Sequence, residues 1–270
     1  MRYIAPARGA VDPVVFARQP LAAWRERAGM LEGVEWPSID ALNHALPRDA
    51  RIRFVAQTPA LLADGQHYEQ RIAERGAIAT RECNWHDLLN ALIWLHYPAL
   101  KQALNRHQMH EIAHMGTKQR SRPQCAMTHF DEAGVIVAVR DPALLALWSA
   151  HDWYGLFWEQ RQAWRDGRIE VEVFGHALLE HALSPDKLLV GKALVFQPTA
   201  TMGMADVRRA CVDGVIDGLL LRDPLELRPL PLSGIPGWHP RGNDEAFHRS
   251  ADCYQPRRAD REYPEALRVG

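Results

Sequence analysis

The stretch from Arg81 to Pro98 constrains this chain more than any other, because it combines a helix start, a nearly all-round apolar surface and a short polar stripe. Asn84 is a good N-cap, and Asp87 three residues later meets the positive end of the helix dipole. Trp85, Leu88, Leu89, Leu92, Ile93 and Leu95 wrap most of the cylinder, which predicts a helix buried on several sides. His86, Asp87 and Asn90 are spaced three and four apart and can share one face. A buried polar group without a partner costs about 1–3 kcal/mol, so these side chains need hydrogen bonds, a ligand or water. Two readings stay open: capping plus a satisfied core network, or a functional site.

The remaining composition narrows the classes. A chain of 270 residues with 47% apolar content can bury a sizeable core and is not disordered. Its 32 basic and 33 acidic residues leave a formal charge of −1, giving no global field to attract nucleic acid or anionic lipid. Cys83, Cys125, Cys211 and Cys253 form no CxxC pair and no readable disulfide framework, so reduced thiols in a cytoplasmic protein are expected. The amino-terminal residues lack the apolar core of a cleaved signal, and no run approaches the ~18 apolar residues of a membrane span.

Taken in order, Asp12-Pro13 opens a short amphipathic segment through Trp24 to Ala28, and a second helix starts near Ser38. Arg51 to Ala56 alternates at period two, as a strand does. Tyr68 to Arg75 suits either element and is read as a strand, because Gly76 follows it. Pro98 ends the central helix and can begin another to about Met115, which carries Lys101 and Asn105 one turn apart. His110-Glu111-Ile112-Ala113-His114 matches H-E-x-x-H, but a loop follows at once and apolar packing is missing, so a solvated histidine-rich helix end is expected. Lys118, Arg120 and Arg122 form a basic loop too short to imply nucleic acid.

Cys125 to Phe130, a turn at Asp131-Glu132-Ala133-Gly134, and Val135 to Val139 read as a hairpin with the two carboxylates at its tip. Trp148, Trp153, Phe157, Trp158 and Trp164 lie at helical spacing, which fits core packing or a wall for a planar ligand. Ile169 to Phe174 is the clearest alternating strand, leading into a helix with His176 and Glu180 one turn apart. Leu188 to Phe196 is a buried strand with a bulge expected at Gly191. Met204 to Leu221 is helical. Beyond Asp223 repeated prolines indicate an ordered extended arm.

Several blocks together resemble the bacterial domain of unknown function 3025 family. They are Thr80 to Trp94 with Pro98, Lys101 and Asn105; Phe130 to Gly134; Phe174 to Glu180; and Gly234 to Trp238 with Asn243 to Phe247. The resemblance spans most of the chain and implies a bacterial protein built as one unit from these blocks. It carries no reaction with it. The histidines at 107, 110 and 114 fall outside its pattern.

The expected fold is α+β and mostly helical: one domain with a helical cap over residues 1–50, a core over 51–222 with a small sheet or hairpins, and a wrapping arm over 223–270. No GxGxxG, GxxxxGK[ST] or GxSxG appears, which sets aside dinucleotide, P-loop and α/β-hydrolase chemistry. The leading functional expectation is a hydrolase whose site gathers His86, Asp87, Asp131, His176 and Glu180, with Asn84, Asn90, Trp94, Lys101 and Asn105 holding a small-molecule ligand. Histidine and carboxylate suit general acid–base work and a divalent metal equally. The rival is a non-catalytic module whose aromatic face or proline-rich arm binds a partner. Convergence of the five catalytic candidates on one concave surface would separate the two readings.

Overall fold

The computed structural model describes residues 3–116 and 119–270. Short 3-10 turns, Pro13–Ala17 and Leu21–Arg27, open the chain where an amphipathic helix is expected; Asp12 caps the first. Helix α1 (Ile39–His44) is capped by Ser38 and leads to strand β1 (Arg53–Ala56). Helix α2 (Tyr68–Arg75) and strand β2 (Ala77–Thr80) follow, with β2 parallel to β1. Two helices on either side of Tyr97, α3 (Trp85–His96) and α4 (Pro98–Met115), precede α5 (Arg122–Ala133).

Strand β3 (Gly134–Val139) leaves α5 directly, and α6 (Pro142–Ala150) separates it from β4 (Ile169–Val173). Helix α7 (His176–His181), strand β5 (Val190–Pro198), helix α8 (Met204–Ile216) and strands β6 (Arg228–Pro231) and β7 (Leu267–Val269) complete the parts used below. The larger sheet runs β4-β3-β5-β6, with β7 also on β5. The fold is therefore α+β. One cluster of buried apolar side chains draws on residues from Val11 to Ala266. Among the described residues no helix is long and apolar enough to cross a membrane.

Three expectations are corrected. Tyr68–Arg75 is a helix, because His67 accepts from the Glu69 amide and Gly76, at φ 61°, closes the end by donating to Arg71 and Ile72 carbonyls. The hairpin over 125–139 is a helix followed by a strand. Ser121 and Gln124 form a reciprocal capping box that starts α5, and Ala126, Met127 and Phe130 bury one helical face. Asp131 and Glu132 consequently sit in the last turn of a helix instead of at a tip. Gly191 makes no bulge: residues 190–193 pair in unbroken register with β6, and its missing side chain admits Val135, whose methyl would lie 2.9 Å from an added Cβ.

Part of the carboxy-terminal segment is strand, with β6 antiparallel to β5. Trp148, Trp153 and Phe157 are core, while Trp158 and Trp164 are half-buried. His110 and His114 are exposed near the end of α4. Lys118 lies outside the described residues, and Arg122 begins α5, paired with Asp223.

Helix α2 is anchored by Arg71, which is almost wholly buried and reaches both oxygens of Asp64. The Arg71 hydrogen bonds, with a Gln66 amide, hold the Asp64 carboxyl down at about 2. A depressed carboxyl pKa contributes stability that is present above the unfolded value near 4 and lost as pH falls toward 2. Asp64→Asn is expected to lower the urea midpoint at pH 6, with the gap to wild type closing between pH 4 and pH 2. A gap that stays constant over that range would show that the pair contributes nothing through ionisation.

Candidate metal centre and polar pocket

Five helices bring their polar side chains to one pocket of about 330 Å³. Its wall takes Tyr68 and Glu69 from α2, His86, Asp87, Asn90 and Trp94 from α3, Lys101 and Asn105 from α4, Asp131 and Glu132 from α5, and His176 from α7. Each set follows from helical spacing: His86, Asn90 and Trp94 rise one turn at a time up α3, as Lys101 and Asn105 do on α4. A larger cavity of about 440 Å³ lies elsewhere, against β4. The smaller pocket holds the denser set of acid–base groups.

At one end of the pocket His86 Nε2 and His176 Nε2 are 3.0 Å apart, and Glu132 Oε2 lies 3.6 Å from His176 Nε2. One ligand atom from each of the three residues falls within 4.8 Å of the others, a grouping able to hold a metal ion. Behind it, His86 Nδ1 is 2.9 Å from Glu180 Oε2. That bond raises the His86 pKa, with burial working against it. His176 is buried, which pushes its pKa down to about 4 and keeps the ring neutral. Its Nδ1 is buried without a hydrogen-bond partner among the described residues and stands 3.9 Å from Asp131 Oδ2. Burial also raises the Glu132 carboxyl, partly offset by the charge of His86.

A hydrogen-bonded network fills the other end. Lys101 Nζ donates to Asn90 Oδ1 at 2.9 Å and to Asp131 Oδ1 at 2.7 Å, and lies 5.2 Å from the centre of the Trp94 ring. Asn90 Nδ2 donates to the Tyr68 hydroxyl at 3.1 Å, and Asn105 Nδ2 to Glu69 Oε2 at 2.6 Å. Burial disfavours the Asp131 anion, yet the Lys101 charge, with its hydrogen bond, outweighs it and lowers the pKa. Glu69 is raised by burial, with Asn105 and Lys101 pulling the other way. Trp94 Nε1 is buried beside this network without a hydrogen-bond partner among the described residues.

The candidates from sequence are distributed as follows. His86, Asp131 and His176 meet in the pocket, and Glu180 stands behind His86. The direct His176–Glu180 pairing expected from their spacing is replaced by two separate contacts, since each residue meets His86 instead. Asp87 lines the pocket, but its carboxylate is taken by the Arg81 amide at 2.6 Å and the Arg81 guanidinium at 2.7 Å. Asn84 caps α3 through its Oδ1 to the Asp87 amide and is not part of the pocket wall. The sequence favours turn chemistry over a catalytic carboxylate at Glu132, and a strand at Tyr68 and Glu69, so none of the three stands among the site candidates. The signals that could have found them were the Ser121-Gln124 capping box and the glycine after Arg75.

A family model described as a protein of unknown function, DUF3025, matches residues 52–258. The chain belongs to the DUF3025 family. No curated protein and no solved structure matches it. The DUF3025 match includes every pocket residue named above, from Tyr68 to His176, together with Glu180 behind His86, and leaves out the amino-terminal turns.

Proposed function

We propose that His86, His176 and Glu132 hold one divalent metal ion, and that the protein is a hydrolase acting on a small molecule seated in the adjoining pocket. The observation carrying this reading is the convergence of two imidazole Nε2 atoms and a carboxylate on one point at a pocket wall. Tetrahedral coordination at roughly 2.1 Å separates neighbouring donors by about 3.4 Å. The separations of 3.0 and 3.6 Å bracket that value. Three protein ligands would leave a fourth position for water or substrate, as catalytic rather than structural zinc sites do.

Glu180 supports the reading from behind. A metal-bound histidine usually donates its other ring N–H to a carboxylate, which fixes the tautomer and leaves the first nitrogen free as a ligand. Bound there, a divalent ion supplies Lewis acidity toward a carbonyl or phosphoryl oxygen and lowers the pKa of water. The protein's own share is positional. Lys101 uses two of its three N–H donors on Asn90 and Asp131, leaving one for a substrate oxygen. Glu69, its pKa raised, is placed to exchange a proton with the substrate.

The four cysteines are free, which agrees with a cytoplasmic protein. A bacterial source belongs to the same proposal, on the resemblance of its sequence blocks. The binding-module reading is favoured by one feature, the direct 3.0 Å His86–His176 contact, which a metal-free hydrogen bond also explains.

Calorimetric titration of chelator-treated protein with Zn²⁺ and Mn²⁺, followed by assay on phosphate esters, carboxylic esters and amides, separates the two. One equivalent of ion bound, with hydrolysis that depends on it, is expected. Failure of both ions to bind would return the histidine pair to a structural role.

A further inference from the structure

The two histidines of the proposed centre are supported unequally. His86 Nδ1 lies 2.9 Å from Glu180 Oε2, and since a carboxylate oxygen accepts, the nitrogen donates. His176 has no such bond: its Nδ1 is buried from solvent and without a hydrogen-bond partner among the described residues. A buried polar atom left in that state costs about 1–3 kcal/mol. One carboxylate oxygen, Asp131 Oδ2, stands 3.9 Å from it. The Asp131 backbone carbonyl also approaches the ring, outside hydrogen-bond geometry.

The contact between the rings accounts for the open gap. A neutral imidazole carries one ring proton. Neutral His86 keeps its proton on Nδ1 for Glu180, so its Nε2 can only accept, and the 3.0 Å contact then needs the His176 proton on Nε2. His176 Nδ1 therefore turns a lone pair toward the Asp131 carboxylate, and two acceptors do not bond. A metal ion reverses this arrangement. A ligand nitrogen carries no proton, so an ion on His176 Nε2 requires the proton on Nδ1.

We propose, resting on the metal reading of this site, that Asp131 is the positioning residue of His176: when a divalent ion takes Nε2, the Asp131 carboxylate accepts a hydrogen bond from Nδ1 and holds the ring as a ligand. The proton on Nε2 leaves to solvent while another is taken up at Nδ1, so the ring stays neutral and the proton count is unchanged. Closing the gap from 3.9 Å to an ordinary bond of about 2.8 Å takes a movement of about 1 Å. Two features prepare Asp131 for it. Its Oδ1 accepts from Lys101 Nζ at 2.7 Å, which leaves Oδ2 for His176. The last turn of α5, carrying Asp131, is clasped to the start of α7 by the Phe174 and Gly175 amides on the Gly134 carbonyl. Each histidine then has its own carboxylate behind it, Glu180 for His86 and Asp131 for His176, the arrangement that orients metal-bound imidazoles.

The probe is Zn²⁺ alone, titrated by calorimetry into chelator-treated wild type and Asp131→Asn. Ring tautomers are read at mildly alkaline pH from long-range proton–nitrogen NMR spectra of protein labelled in its histidine nitrogens, with the His176 signals identified by their loss in His176→Gln. In the wild type the His176 proton is expected on Nε2 without zinc and on Nδ1 with it, shifted to low field by the carboxylate. Asp131→Asn is expected to bind zinc roughly ten- to a hundredfold more weakly and to move that proton upfield, which loss of a merely structural contact with Lys101 would not do. The wild-type spectra decide the matter even if Asp131→Asn fails to fold, because a zinc-bound Nδ1 proton without the low-field shift would remove Asp131 from this role. Zinc affinity within about threefold of wild type in a folded Asp131→Asn would do the same and leave the metal centre standing. No zinc bound by the wild type would sink the metal centre itself, and this role with it.

Discussion

His176→Ala is expected to lower the affinity for a divalent ion by roughly a hundred- to a thousandfold. Structural zinc sites with four ligands bind with about 10–16 kcal/mol, so one ligand accounts for about 2.5–4 kcal/mol. His86→Ala and Glu132→Gln should show losses of the same order, since each supplies one donor atom to the group. Glu180→Gln removes only the partner of His86 Nδ1, for which a tenfold to hundredfold loss is expected. Asp87→Asn should leave the ion bound within a factor of about three, because that carboxylate is committed to Arg81. Calorimetric titration of all five variants supplies the ranking. Equal affinity in the wild type and His176→Ala would remove the metal centre, and a loss in Asp87→Asn as large as in His86→Ala would mean that the fold of α3, not ligation, was being measured.

A second large effect is expected at Gly175, where alanine should destabilise the protein by about 3 kcal/mol or more. An added Cβ would lie 2.5 Å from Ala133 Cα and 2.5 Å from the Gly134 nitrogen, both of them backbone that cannot swing aside. Here the end of α5 runs into β3 directly beneath the start of α7. Two hydrogen bonds clasp the junctions, from the Phe174 and Gly175 amides to the Gly134 carbonyl at 3.0 and 2.9 Å. The same contact sets His176 beside Asp131 and Glu132. In a chain of this size the melting temperature should fall by roughly 6–12 °C, read by scanning calorimetry. Metal affinity should fall with it in the folded variant, since the junctions are pushed apart. A melting temperature within about 2 °C of wild type would show that the junction yields cheaply.

Gly175 also shows how much of the site was legible. In sequence it stands between the alternating strand and the helix of His176, where a glycine leaves room for a close approach. Its φ of −68° is ordinary for any residue, and what approaches is the chain's own backbone at Ala133 and Gly134. The polar stripe on α3 was read from spacing alone, because the cap at Asn84 and helical periodicity fix which side chains share a face. Lys101 and Asn105 were legible for the same reason.

Glu132 was not legible. Residues 125–130 are a short, mostly apolar run that periodicity alone does not assign, and the capping box that opens at Ser121 makes it helix in the folded chain. Glu180 is legible as one turn from His176 but not as the partner of His86. Its position one turn from His176 holds along the helix, whereas its reach to His86 depends on how α7 packs on α3.

The sequence by itself determined a mostly helical α+β chain, the start of α3, the alternating strand β4 and the family blocks, because each rests on local dihedral preference and on periodicity within one element. Only the tertiary structure decided that His86, Glu132 and His176 converge, that Asp87 turns to Arg81, and that β4 lies at the edge of the larger sheet. Those facts depend on how separate elements dock. Docking is set by shape and close approach between distant residues, as at Gly175 against Ala133, and no window of sequence contains both sides of such a contact.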